Sequence, residues 1–151
     1  MTPQTPRISA AITMLMTIAL VGACSAPQPR GPLADERARV ILETRPQDRI
    51  EAYRLDGELA DGLRFDDLTP GAHDLRVRHH FERPGSAAAS GLLGEAQWER
   101  CILGVRYADF IGGQRYSFEV ERRGLRSIGW LRGASGEKLA DAEVIRCGPA
   151  V

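Results

Sequence analysis

The chain has 151 residues, and its 20 Lys and Arg balance its 20 Asp and Glu. That balance gives no electrostatic case for nucleic acid, and we expect no nucleic-acid partner. Every basic residue except Lys138 is an arginine, and the arginines are spread evenly. A GC-rich genome is the simpler explanation, because arginines spread evenly do not mark a phosphate-binding patch.

Arg7 is the only charge before Arg30, and Ile8 to Ala23 is almost wholly apolar or small. That run is shorter than the roughly 20 residues that span hydrocarbon. A basic start, an apolar middle and small residues at the end are the layout of a secretory signal peptide over residues 1–23. Val21-Gly22-Ala23-Cys24 resembles the lipobox of bacterial lipoproteins, with valine where leucine is usual. The resemblance implies acylation of the Cys24 thiol by diacylglycerol, with palmitate-type chains. It also implies cleavage before Cys24 and acylation of the new amino terminus. The lipid bilayer, reached through acylated Cys24, is then the first partner. By resemblance to the enterobacterial lipoprotein sorting rule, serine and not aspartate at position 25 implies the outer membrane facing the periplasm. The proline-rich stretch within residues 24–36 is expected to be a flexible tether. At ~3.1 Å per residue when extended, it holds the domain about 30 Å from the lipid.

Residues 37–151 are expected to form one domain of short strands. Ala38 to Glu43 is ambiguous between strand and helix. Ile50 to Leu55 and Leu63 to Leu68 look like strands separated by Asp56-Gly57. In LTPG, Pro70 and Gly71 suit the central positions of a type II turn. His73 to Glu82 alternates, with Leu75, Val77, His79 and Phe81 on one face and Arg76, Arg78, His80 and Glu82 on the other. Small residues over 84–97 predict a loop. Trp98 to Tyr107 and Arg115 to Arg122 alternate again and look like a hairpin turning at Gly112-Gly113. Leu125 to Leu131 and Leu139 to Arg146 look like two more strands, turning at GASGEK. The fold class predicted is all-β, an antiparallel β-sandwich of about seven strands, or a small barrel.

With Cys24 lipidated, Cys101 and Cys147 remain. An even pair in an oxidising periplasm predicts a disulfide. LTPGAHDLRV resembles the L-x-PG-x-H-x-L-x-V stretch of PEGA-type and transthyretin-like domains. It is also similar to small proteobacterial envelope lipoproteins with a later cysteine strand and an aromatic-GQ-x-Y turn, here Phe110 to Tyr116. The resemblance covers residues 50 to 122. It implies a β-domain and carries almost no catalytic content.

Candidate sites are sparse. His73 and His79 share a strand face but lie about 20 Å apart along it, too far for one metal. His80 faces the other way. Ser135-Gly136-Glu137-Lys138 matches S-x-x-K without the companion motifs of that enzyme class, and a polar turn explains it. Gly112-Gly113-Gln114 matches a release-factor tripeptide that has no place in an exported chain. Asp66 and Asp67 are adjacent and would face opposite ways. Trp98, Ile128 and Trp130 are a possible binding surface for an envelope protein or a glycan. We therefore expect no catalytic residues, no metal and no cofactor: an anchored, non-catalytic envelope lipoprotein that binds or scaffolds another component. The alternative is a periplasmic metal-binding protein or enzyme using His79, His80 or Glu82.

Overall fold

The computed structural model describes residues 30–83 and 97–148. The expected signal peptide, Cys24 and residues 84–96 of the expected loop lie outside them. The strands are β1 (Arg39–Thr44), β2 (Arg49–Leu55), β3 (Glu58–Leu59), β4 (Gly71–Glu82), β5 (Trp98–Phe110), β6 (Arg115–Arg123), β7 (Arg126–Arg132) and β8 (Lys138–Gly148). The predicted all-β class holds. The strands run as one sheet, in the order β1-β6-β7-β8-β5-β4-β2-β3, curled into a half-barrel in place of two stacked sheets.

Period-two alternation explains which side faces in. On β4, Leu75, Val77, His79 and Phe81 are fully buried, while Arg76, Arg78 and His80 lie half-buried on the outer face. Cys101, Leu103 and Val105 of β5, Tyr116, Phe118 and Val120 of β6, and Leu131 of β7 complete the inner surface. The curl comes from β8. Its first half pairs with β7 and its second half with β5, with register shifts between Leu131 and Arg132 and between Ile102 and Leu103. Such irregularities bend a strand and raise its twist.

The β1 edge is tied back to the chain just before β4. Ala38 and Leu68 exchange both backbone hydrogen bonds, at 2.9 and 2.7 Å. Beside them Arg39 donates through Nε and Nη2 to the two carboxylate oxygens of Asp67, at 2.7 and 2.6 Å. A planar guanidinium fork suits this bidentate geometry. Asp67 therefore has a structural partner.

Several sequence expectations change. Ala38 to Glu43 resolves as strand. Leu63 to Leu68 is not a strand: Phe65 and Leu68 are buried, but only Leu68 bridges, to Ala38. The second strand after Asp56-Gly57 is the short β3, reached through consecutive positive φ angles at Asp56 (51°) and Gly57 (91°). These angles are those of a tight two-residue hairpin. Gly71 takes a positive φ (119°), as the LTPG stretch suggests, but as the first residue of β4.

β5 and β6 do not form a hairpin. β5 lies between β4 and β8, and β6 pairs with β7 and, in parallel, with β1. Gly112-Gly113 instead lets the chain pass tightly by the segment before β1. Gly113 N donates to Arg37 O at 2.8 Å, and a Cβ on Gly112 would sit 2.6 Å from Asp35 O. Leu125, expected to begin a strand running to Leu131, is exposed in the turn after β6, whereas Leu131 is buried on β7.

Candidate functional site

Two polar arrangements stand out, one inside the curled sheet and one outside it. The inner one centres on His79. Its Nδ1 lies 2.8 Å from Ser127 Oγ on β7. Its Nε2 lies 3.3 Å from Thr44 Oγ1 on β1 and 3.5 Å from Asp48 Oδ2 in the β1–β2 turn. Thr44 already donates to Val120 O at 2.9 Å, so toward His79 it accepts. A neutral imidazole protonated at Nε2 fits: Nε2–H points at Thr44, and Nδ1 accepts from Ser127. Burial pushes the His79 pKa below its ordinary 6.5; Asp48 opposes this, and His80 and Arg122 add to it. Arg122 Nε lies 3.9 Å from Asp48 Oδ1, and its guanidinium lies over Phe81.

Ser127, His79 and Asp48 thus follow one another as in a nucleophile–base–acid relay. All three side chains are buried, with Ser127 at 3% exposure and His79 at 0%. A nucleophile must meet its substrate at hydrogen-bond reach, and this hydroxyl has its back to the core. The cluster's evident work is to tie β1, β4 and β7 together. Sequence alternation placed His79 inward; its partners, from three other segments, carried no local signal.

His73 is a turn tie. Its Nδ1 lies 2.6 Å from Asp56 Oδ2 and its Nε2 2.8 Å from Thr69 O, while Asp56 Oδ1 accepts from Asp74 N at 2.8 Å. Among the described residues no group of three or more His, Cys, Asp or Glu side chains is placed to hold a metal ion. Ser135 bonds Glu137, and Lys138 bonds Asp141, within the turn and start of β8.

The outer arrangement lies across β2, β4, β5 and β8. Register places Arg49, His80 and Arg100 directly side by side, with Gly148 next in line. The neighbouring row is Glu51, Arg78, Ile102 and Arg146. Glu51 is the one carboxylate in the two rows; its Oε1 lies 3.3 Å from His80 Nε2 and 3.6 Å from Arg78 Nη1. The Arg78 guanidinium sits 4.1 Å over the Tyr53 ring. Burial pushes the His80 pKa down and Glu51 pulls it up; Arg100 and Arg49 push it down further. Evenly spread in sequence, these arginines are gathered by strand pairing.

The three residues expected to form a surface do not come together. Trp98 is 53% exposed at the start of β5, opposite Glu82. Trp130 is half-buried on β7, level with Asp141, and its Nε1 donates to Glu119 at 2.7 Å. Ile128 is half-buried two residues before it. Trp98 lies beyond the Arg100–Gly148 pair, so at least roughly 23 Å of strand separates the two indoles along β8. Cys101 and Cys147 are directly opposed on β5 and β8 and joined as a disulfide, with Cα atoms 4.1 Å apart. Compared with known proteins, the chain matches no family model, no curated protein and no solved structure.

Proposed function

We propose that this is a lipid-anchored protein of the bacterial envelope whose β-domain holds or scaffolds another envelope component without doing chemistry. The observation that carries the reading is the Cys101–Cys147 disulfide, which ties the last strand to β5. Such bridges persist in oxidising compartments and are rare in a reducing cytosol. The bridge therefore supports export. Export supports taking Val21-Gly22-Ala23-Cys24 as a processing and acylation signal. The inward faces are filled by packed side chains, which favours a binding surface over an enclosed reaction site.

The test is Cys24→Ser followed by envelope fractionation. The wild-type chain is expected in the outer membrane as a processed, acylated form. The variant is expected as an unprocessed precursor retaining residues 1–23. A wild-type chain with a free Cys24 thiol, or cleaved elsewhere, removes the lipoprotein reading.

A further inference from the structure

The two sulfurs of the bridge stand in unlike surroundings. Cys101 is 0% exposed, whereas Cys147 is exposed. Strand register explains the difference. One row runs His79 on β4, Cys101 on β5 and Cys147 on β8. The pairs of β7 with β8 end at Gly129–Ala142, so among the described residues no strand lies beyond Cys147. Val144 and Ile145, on the same half of β8, are 42% and 44% exposed, which shows that this edge is uncovered.

A thiolate breaks a disulfide by attacking one sulfur in line with the bond, from the side away from the other sulfur, and access decides which sulfur it reaches. In-line approach to Cys101 Sγ comes from β4, where the fully buried His79 stands. In-line approach to Cys147 Sγ comes from the free edge of β8. We propose that Cys147 is a thiol-exchange site, at which an external dithiol reductant opens the Cys101–Cys147 bridge.

In the first step the attacking sulfur bonds to Cys147 Sγ. The Cys101–Cys147 bond breaks, and its electron pair leaves on Cys101 Sγ. The proton lost by the attacking thiol ends on Cys101, because an apolar interior disfavours a thiolate. In the second step the other thiol of the reductant attacks the sulfur already joined to Cys147. The reductant leaves as a cyclic disulfide, and Cys147 leaves as a thiolate that takes up the second proton. The chain gains two hydrogens. A monothiol cannot take this second step within one molecule. Cys101, whose Cα lies 4.1 Å from that of Cys147, then attacks back and restores the bridge. The proposal goes beyond the envelope reading and does not need the lipid anchor.

The test uses the full chain, purified oxidised and held in native buffer with glutathione. Samples are quenched in acid, denatured with excess N-ethylmaleimide and mapped as peptides by mass spectrometry. Trapped glutathione is expected on Cys147, with N-ethylmaleimide on Cys101, at about tenfold or more over the reverse arrangement. Dithiothreitol at equal thiol concentration should give two free thiols several-fold faster than glutathione. In single variants, Cys101→Ala should leave a Cys147 thiol that reacts with glutathione disulfide in native buffer. Cys147→Ala should leave a Cys101 thiol that reacts only in denaturant. Glutathione on Cys101, equal trapping on both cysteines, or trapping only in denaturant overturns the proposal. The wild-type map decides this even if a variant fails to fold. Cys24 lies on a peptide of its own, so a free thiol there refutes the anchor and leaves the exchange site to be read separately.

Discussion

His79 is a side chain whose burial has a sign. Its pKa lies below the ordinary 6.5 in the folded chain, chiefly because the interior disfavours the charged ring. His80 is shifted the same way for the same first reason. As pH falls through about 6.5, the unfolded chain takes up these protons and the folded chain does not. The stability they contribute is therefore complete above that pH and declines as pH drops toward the lower folded values. Urea unfolding at pH 7.5 and at 5.5 should show the loss; a midpoint unchanged between them counts against a buried neutral His79. Replacing His79 by Leu should flatten part of this dependence. It should also cost about 1–3 kcal/mol at pH 7.5, because Ser127 loses its buried partner.

Gly112 makes a second residue-scale test. A Cβ there meets the Asp35 carbonyl at 2.6 Å, and backbone cannot rotate away. Gly112→Ala is expected to cost about 1–3 kcal/mol. Gly104→Ala meets only the movable tip of Ile145 at 3.1 Å and should stay within ~0.5 kcal/mol of wild type. Equal effects of the two, read by thermal unfolding, would mean that the close passage at Asp35 is wrong.

At the scale of elements, alternation was legible and pairing was not. Leu75, Val77, His79 and Phe81 announced their buried face in sequence, as did Tyr116, Phe118 and Val120. Gly112-Gly113 suggested a hairpin because a glycine pair between alternating segments usually makes one. The parallel partner β1, more than seventy residues upstream, decided otherwise, and nothing local to Gly112 encodes it. The Arg49–His80–Arg100 row has the same character. His80 was legible as outward, but its neighbours depend on register between strands far apart in sequence. Trp98 and Trp130 failed to meet because β8 separates their strands. The disulfide was the exception, since setting Cys24 aside on the lipobox resemblance left a single pair.

The two restraints on the sheet make separable predictions. The bridge closes a 46-residue separation, worth ~4 kcal/mol in the loop-entropy account. The second half of β8 pairs only with β5, so reduction should speed hydrogen exchange in residues 143–148 before the rest. Uniform loosening of the whole domain would contradict this. Asp67→Asn removes the charge that holds Arg39. Exchange should then rise in Val40 to Thr44 on β1 while the β4 and β5 ladders keep their protection. A rise spread evenly over the sheet would contradict a local tie at that edge.

At the scale of the molecule, the inner face of the half-barrel is filled by packed side chains. The proposed acyl anchor would supply place. The disulfide fits that address, because a bridge between adjacent strands survives where thiols are not kept reduced. Intact-mass spectrometry of the chain extracted from outer membranes, before and after reduction, tests the central claim most directly. The account predicts a chain beginning at Cys24, heavier than its sequence by the acyl groups on that residue, and gaining two hydrogens on reduction of Cys101–Cys147. A chain that begins elsewhere, or begins at Cys24 with a free thiol and amino group, would contradict it.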